Sequence, residues 1–124
     1  MKILLVEDDE KVRAALERVL RKDGHEIVWA ADAPGAIRQL VSEPGLELIL
    51  LDMTLANGTT GWSVAEFRAN DARSKAIPLV VLSGADPRQL QARARQNWLE
   101  GVSLMLDKPP DFELLRRYIE SLKA

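Results

Sequence analysis

Short aliphatic runs alternate with longer amphipathic segments, and this alternation constrains the fold more than any other feature of the chain. The runs cover residues 3–6, 26–30, 46–51, 79–82 and 102–106. Continuous Val, Ile and Leu runs of this length suit parallel strands covered on both faces. The segments between them carry apolar residues at helical spacing. Val12, Ala15, Leu16, Val19 and Leu20 form the first stripe, with Gly24 as its stop. A second helix is predicted over 34–41, with Ala36, Ile37 and Leu40 inward. A third follows Gly61 with Val64, Ala65 and Phe67, and a fourth covers 87–98. The last starts at Asp111, a suitable N-cap, with Phe112, Leu115, Ile119 and Leu122 inward. Five β-α units in succession predict an α/β protein: a parallel sheet with five helices on both faces, doubly wound. The second run is the most polar and is predicted to lie at an edge.

The chain has 124 residues, 47% of them hydrophobic, enough for one core. A single domain over 1–124 is expected, with no room for an output domain. Net charge is −2, so no basic field draws nucleic acid. Cysteine is absent, which excludes disulfides and thiolate metal sites. The apolar run at the N-terminus is too short for a secretory signal, and no run has the length of a membrane span. A soluble cytoplasmic protein that does not engage membranes is expected, monomeric or weakly dimeric.

The third run drives straight into a carboxylate, Asp52. In an open α/β sheet, ligands bind at the carboxyl ends of the strands. The first run ends in Glu7-Asp8-Asp9, the third in Asp52, the fourth in Ser83 and the fifth in Asp107-Lys108-Pro109. In strand order 2-1-3-4-5, Glu7, Asp8 and Asp52 converge at the switch point, flanked by Ser83 and Lys108. Two carboxylates ~4 Å apart repel by ~4 kcal/mol at an effective dielectric of ~20. Three together must hold protons or a cation. Hard oxygen donors suit Mg2+ or Mn2+. A metal, a lysine and a hydroxyl around one carboxylate also make a phosphoryl-transfer site, with Asp52 as nucleophile. Asp9 fits better as an N-cap of the first helix than as a ligand.

Together, VEDD, LLDM, VLSGAD and DKPP, in that order and spacing, resemble bacterial two-component response-regulator receiver domains of the single-domain, chemotaxis-regulator-like kind, over essentially the whole chain. The resemblance implies the flavodoxin-like fold. It implies that Glu7 and Asp8 are the acidic pair at a Mg2+ ion, that Asp52 is the phosphoacceptor and that the backbone carbonyl of Thr54 is a further metal ligand. Ser83 is then the hydroxyl switch residue and Lys108 the phosphoryl contact, with a cis bond to Pro109. The implied partner is a histidine kinase or histidine phosphotransfer protein, docking near helix 1, where Arg13 and Arg18 lie. The output is a downstream protein. The chain is then a signalling switch rather than a turnover enzyme.

Three features depart from the family pattern: the loop after Asp52, one residue of strand 5 and the start of that strand. Ala56 stands where proline is usual, and Gly61 comes nine residues after Asp52 rather than eight, implying one inserted residue. Met105 replaces the usual aromatic or histidine, and Gly101-Val102-Ser103 replaces Gly-Ala-Asp. These changes motivate an alternative reading as a receiver-like interaction module that works without phosphate. A haloacid-dehalogenase-type phosphatase requires Asp-x-Asp, and Asp52-Met53-Thr54 lacks the second acid. A flavodoxin-like cofactor binder would want a phosphate-cradling loop where this chain places three acids. His25 reads as a surface or packing residue. Trp29, Trp62 and Trp98 are too scattered for a stacking platform, and Trp62 is the one placed to report on the site.

Overall fold

A computed structural model of the chain describes residues 1–53, 61–83, 102–107 and 110–123. The strands are β1 (Lys2–Val6), β2 (Glu26–Ala30), β3 (Leu48–Asp52), β4 (Leu79–Ser83) and β5 (Val102–Asp107). They form one parallel sheet in the order β2-β1-β3-β4-β5. The helices among the described residues are α1 (Glu10–Lys22), α2 (Ala33–Ser42), α3 (Gly61–Asn70) and α4 (Phe112–Leu122), with a 3₁₀ turn at Ser74–Ala76. The helical pattern at 87–98 lies outside the described residues.

Strand alternation splits the core in two, because successive side chains point to opposite faces. Leu4, Val6, Ile49, Leu51, Leu79 and Val81 pack with Ala36 and Leu40 of α2 and Val64 and Ala65 of α3. On the other face Ile3, Leu5, Leu48, Leu50, Val80 and Leu82 pack with Leu16 and Leu20 of α1 and Leu115 and Ile119 of α4. Both faces are dry, so the central strands have no polar side and read as unbroken aliphatic runs. Each fully buried Leu or Ile contributes ~1.5–3 kcal/mol by leaving water.

The helix ends follow local chemistry. Asp9 caps α1, its carboxylate accepting from the Lys11 and Val12 amides at 2.9 and 3.2 Å. Asp32 and Asp111 do the same for Gly35 and Leu114. Beyond α1, Gly24 takes a φ of +92°, and its amide bonds the Arg21 carbonyl. Arg116 of α4 grips the α1 C-cap, Asp23, through a two-pronged contact at 2.8 and 3.0 Å.

The third predicted strand starts two residues later than its apolar run and takes Asp52 inside it. Leu46 only packs against the core from outside the strand.

Arg68 is a feature that apolar periodicity does not reveal. It is buried on α3, and burial pulls its guanidinium below the ordinary value. It donates to the Ile77 carbonyl at 2.9 and 2.7 Å and to that of Lys75 at 3.2 Å. These bonds satisfy carbonyls in the turn that leads to Pro78, whose own carbonyl starts the β3–β4 ladder by accepting from Ile49 at 3.0 Å.

His25 is a packing residue, 5% exposed, and its Nδ1 has no hydrogen-bond partner among the described residues. Burial is the main cause that holds its pKa below 6.5; the N-terminus and Lys123 add to it, and Asp23 and Glu120 oppose it. A histidine depressed in the fold takes up protons more readily when unfolded. Its contribution is therefore present above 6.5 and is lost as pH falls through the folded value. Urea midpoints measured from about pH 7 down to about pH 5.5 are expected to fall in the wild type and to stay flatter in His25→Gln. Equal slopes would assign the pH dependence to other groups.

Candidate metal and phosphoryl site

The acids meet because of register. β1 pairs with β3 through Val6↔Leu51, so the residues that follow, Glu7 and Asp52, leave the sheet side by side. One carboxylate oxygen from each of Glu7, Asp8 and Asp52 lies within 4.8 Å of the others. Glu7 and Asp52 are buried at 0% and 1% exposure, and Asp8 is partly exposed. Solvent thus reaches the group from the Asp8 side. Asp9 is not in the cluster, in keeping with its capping role.

The acidic turn is held by backbone bonds. The Glu7 amide donates to Ala30 of β2 at 3.1 Å, and the Asp9 amide donates to Glu7 Oε1 at 3.1 Å. Behind Asp52, the Met53 amide donates to Leu82 of β4 at 3.1 Å, and Gly61 donates back to the Met53 carbonyl at 3.2 Å. Gly61 sits so close that a Cβ would lie 2.5 Å from the Asp52 carbonyl oxygen and 2.8 Å from Met53 Cα. Only glycine fits there. The glycine that looked displaced by one residue therefore meets a steric demand at the site itself.

Ser83 closes β4 in register with Asp107 at the end of β5, on the same edge as Asp52. Met105 lies in β5 opposite Val81. Thr54, Ala56, Lys108 and Pro109 lie outside the described residues. Trp62, in the first turn of α3, is buried in the core.

Arg13, on the helix where a donor is expected to dock, also makes contacts within the fold. Its guanidinium stacks over Trp29 at 4.2 Å from the ring centroid and bridges Glu17 at 3.1 Å. Arg18 of α1 remains exposed. Trp29 itself donates its indole N–H to the Glu7 carbonyl at 2.8 Å. Sequence reasoning missed this contact. Its one local signal is that β2 ends beside the acidic turn.

Three carboxylates with hard oxygen atoms, two of them buried and one open to water, match the donor set of a small divalent cation that keeps some of its waters.

A doubly wound parallel sheet with an acidic cluster at its switch point defines a class of α/β domains that take their ligand at the carboxyl ends of the strands. The family model of the response regulator receiver domain matches residues 3–120, and the chain belongs to that family. Receiver domains are the phosphoacceptor modules of two-component signalling. The phosphate regulon transcriptional regulatory protein PhoB of Klebsiella pneumoniae is 34% identical over 108 residues. That match covers 87% of this chain and 45% of PhoB, so the chain spans about half the length of that relative. Protein PilH of Pseudomonas aeruginosa is 24% identical over 123 residues, covering 99% of this chain and 98% of PilH. Among solved structures, a two-component response regulator from Clostridium difficile superposes with a TM-score of 0.83 at 25% identity, covering 98% of this chain and 94% of that one. The receiver domain of a Pseudomonas aeruginosa sensor histidine kinase, with magnesium coordinated in its active-site cleft, gives 0.81 at 24% identity, covering 99% and 98%. No described helix is long and apolar enough to cross a membrane.

Proposed function

We propose that this chain is a cytoplasmic phosphorylation switch in which Asp52 accepts a phosphoryl group from a phosphohistidine donor. The observation that carries the reading is the convergence of Glu7, Asp8 and Asp52 within 4.8 Å at the carboxyl ends of β1 and β3. Glu7, Asp8 and Asp52, with the Thr54 backbone carbonyl, would hold Mg2+. When bound, that ion supplies positive charge beside the transferred oxygens. An Asp52 carboxylate oxygen forms the new bond to phosphorus as the N–P bond breaks. The imidazole leaves with that electron pair, neutral when its other nitrogen carries a proton. Lys108 offsets charge on the phosphoryl oxygens, and the Ser83 hydroxyl donates to one of them.

Burial gives the transfer its consequence. A dianionic group placed on a side chain at 1% exposure cannot be screened by water alone, so the strand ends around it must rearrange. The surface biased this way is formed by β4 and β5. Its donor is a histidine kinase or histidine phosphotransfer protein, and its output is a change of protein partner. The chain completes no catalytic cycle on a separate substrate.

Intact-mass spectrometry after incubation with Mg2+ and acetyl phosphate tests the assignment. One added phosphoryl group is expected in the wild type and none in Asp52→Asn. A gain in both proteins would move the acceptor elsewhere. No gain in either, with acetyl phosphate or a phosphohistidine donor, would sink the reading in favour of a phosphate-independent module.

A further inference from the structure

Trp29 stands on the edge strand β2 with 42% of its surface exposed, so burial alone does not account for a residue of its size there. Its polar atom has a specific task. The indole N–H donates to the Glu7 carbonyl at 2.8 Å, while the Glu7 amide donates to the adjacent Ala30 carbonyl at 3.1 Å. Consecutive residues of β2 thus hold the backbone on both sides of Glu7, and the Asp9 amide closes the turn onto Glu7 Oε1 at 3.1 Å. The indole is itself fixed. Arg13 lies over its face at 4.2 Å and is anchored by Glu17 at 3.1 Å. The carbonyl that Trp29 holds belongs to the peptide joining Glu7 to Asp8. Rotation of that peptide would swing the Asp8 carboxylate away from its two buried partners.

We infer that Trp29 is a positioning residue for the divalent-cation site, bracing the Glu7–Asp8 peptide so that the carboxylates are set before the ion arrives. This rests on the cation-binding reading proposed above. Groups that orient metal ligands from outside the coordination sphere change affinity by about tenfold or more when removed. Part of the ordering cost is met in the folded protein rather than at binding.

The test uses the full chain and Mg2+ alone. Trp29→Phe keeps a ring under Arg13 and deletes the N–H donor. Calorimetry is expected to show Mg2+ binding weakened about tenfold, with circular dichroism reporting an intact metal-free fold. In the wild type, the Trp29 indole N–H resonance is expected to exchange slowly with solvent and to shift with Mg2+ along the calorimetric binding curve. An unchanged affinity in Trp29→Phe, with or without a lower melting temperature, reduces Trp29 to a structural residue and overturns the inference. So does an indole resonance that ignores the ion. A wild type that binds no Mg2+ overturns the cation reading as well, which separates the two failures.

Discussion

Adding Mg2+ to the wild-type protein is expected to raise its melting temperature substantially, and Asp52→Asn is expected to lose most of that rise. A ligand that binds only the folded state at a hundred times its dissociation constant stabilises by about 2.7 kcal/mol. For a domain of this size that corresponds to roughly ten degrees. Asp52 is one of three carboxylates within 4.8 Å, and asparagine removes its charge while keeping its shape. If affinity falls a hundredfold, the same Mg2+ concentration stabilises by only about 0.4 kcal/mol. Differential scanning fluorimetry of both proteins, with and without Mg2+, measures this directly. Equal shifts would mean that the cation binds away from the cluster.

Gly61→Ala is expected to damage stability and site together. The new methyl would lie 2.5 Å from the Asp52 carbonyl oxygen, 2.8 Å from Met53 Cα and 2.9 Å from Met53 Sδ. Two of those three atoms are backbone and cannot rotate aside. Overpacking of this kind costs ~1–3 kcal/mol. Relief requires either α3 to retreat or Asp52 to move, so the urea midpoint and the Mg2+ response should fall together. Gly45→Ala is the control. Gly45 has a φ of +77° and open space around its Cβ direction. Alanine there strains only the backbone, by ~1–2 kcal/mol, far from the site. It should lower the midpoint and leave the Mg2+ response intact. If Gly61→Ala behaves like Gly45→Ala, the close approach to Asp52 has no functional weight.

Much of the site was legible because it is built where strands stop. An apolar run ending in an acid is a local pattern, and open α/β sheets present strand ends to ligands. Glu7, Asp8 and Asp52 could be named from that pattern, and Asp9 set apart as a cap, without any distance. Arg68 and Trp29 were not legible in the same way. A helical arginine and a strand tryptophan have ordinary surface readings. Their actual roles depend on carbonyls, at Lys75, Ile77 and Glu7, that other parts of the chain bring to them. Arg13 is a similar case: its contact with Trp29 joins α1 to β2, which the sequence of α1 alone does not connect.

Periodicity and strand-end chemistry act over a few residues, so the sequence by itself determined the alternation of strands and helices, the caps and which acids lie at the ligand-binding edge. Only the tertiary structure decided the Val6↔Leu51 register that brings Glu7 beside Asp52, the backbone contact that requires glycine at position 61 and the indole that braces the acidic turn. Those depend on how distant segments pack against one another, and a pattern confined to neighbours along the chain carries no information about such distances.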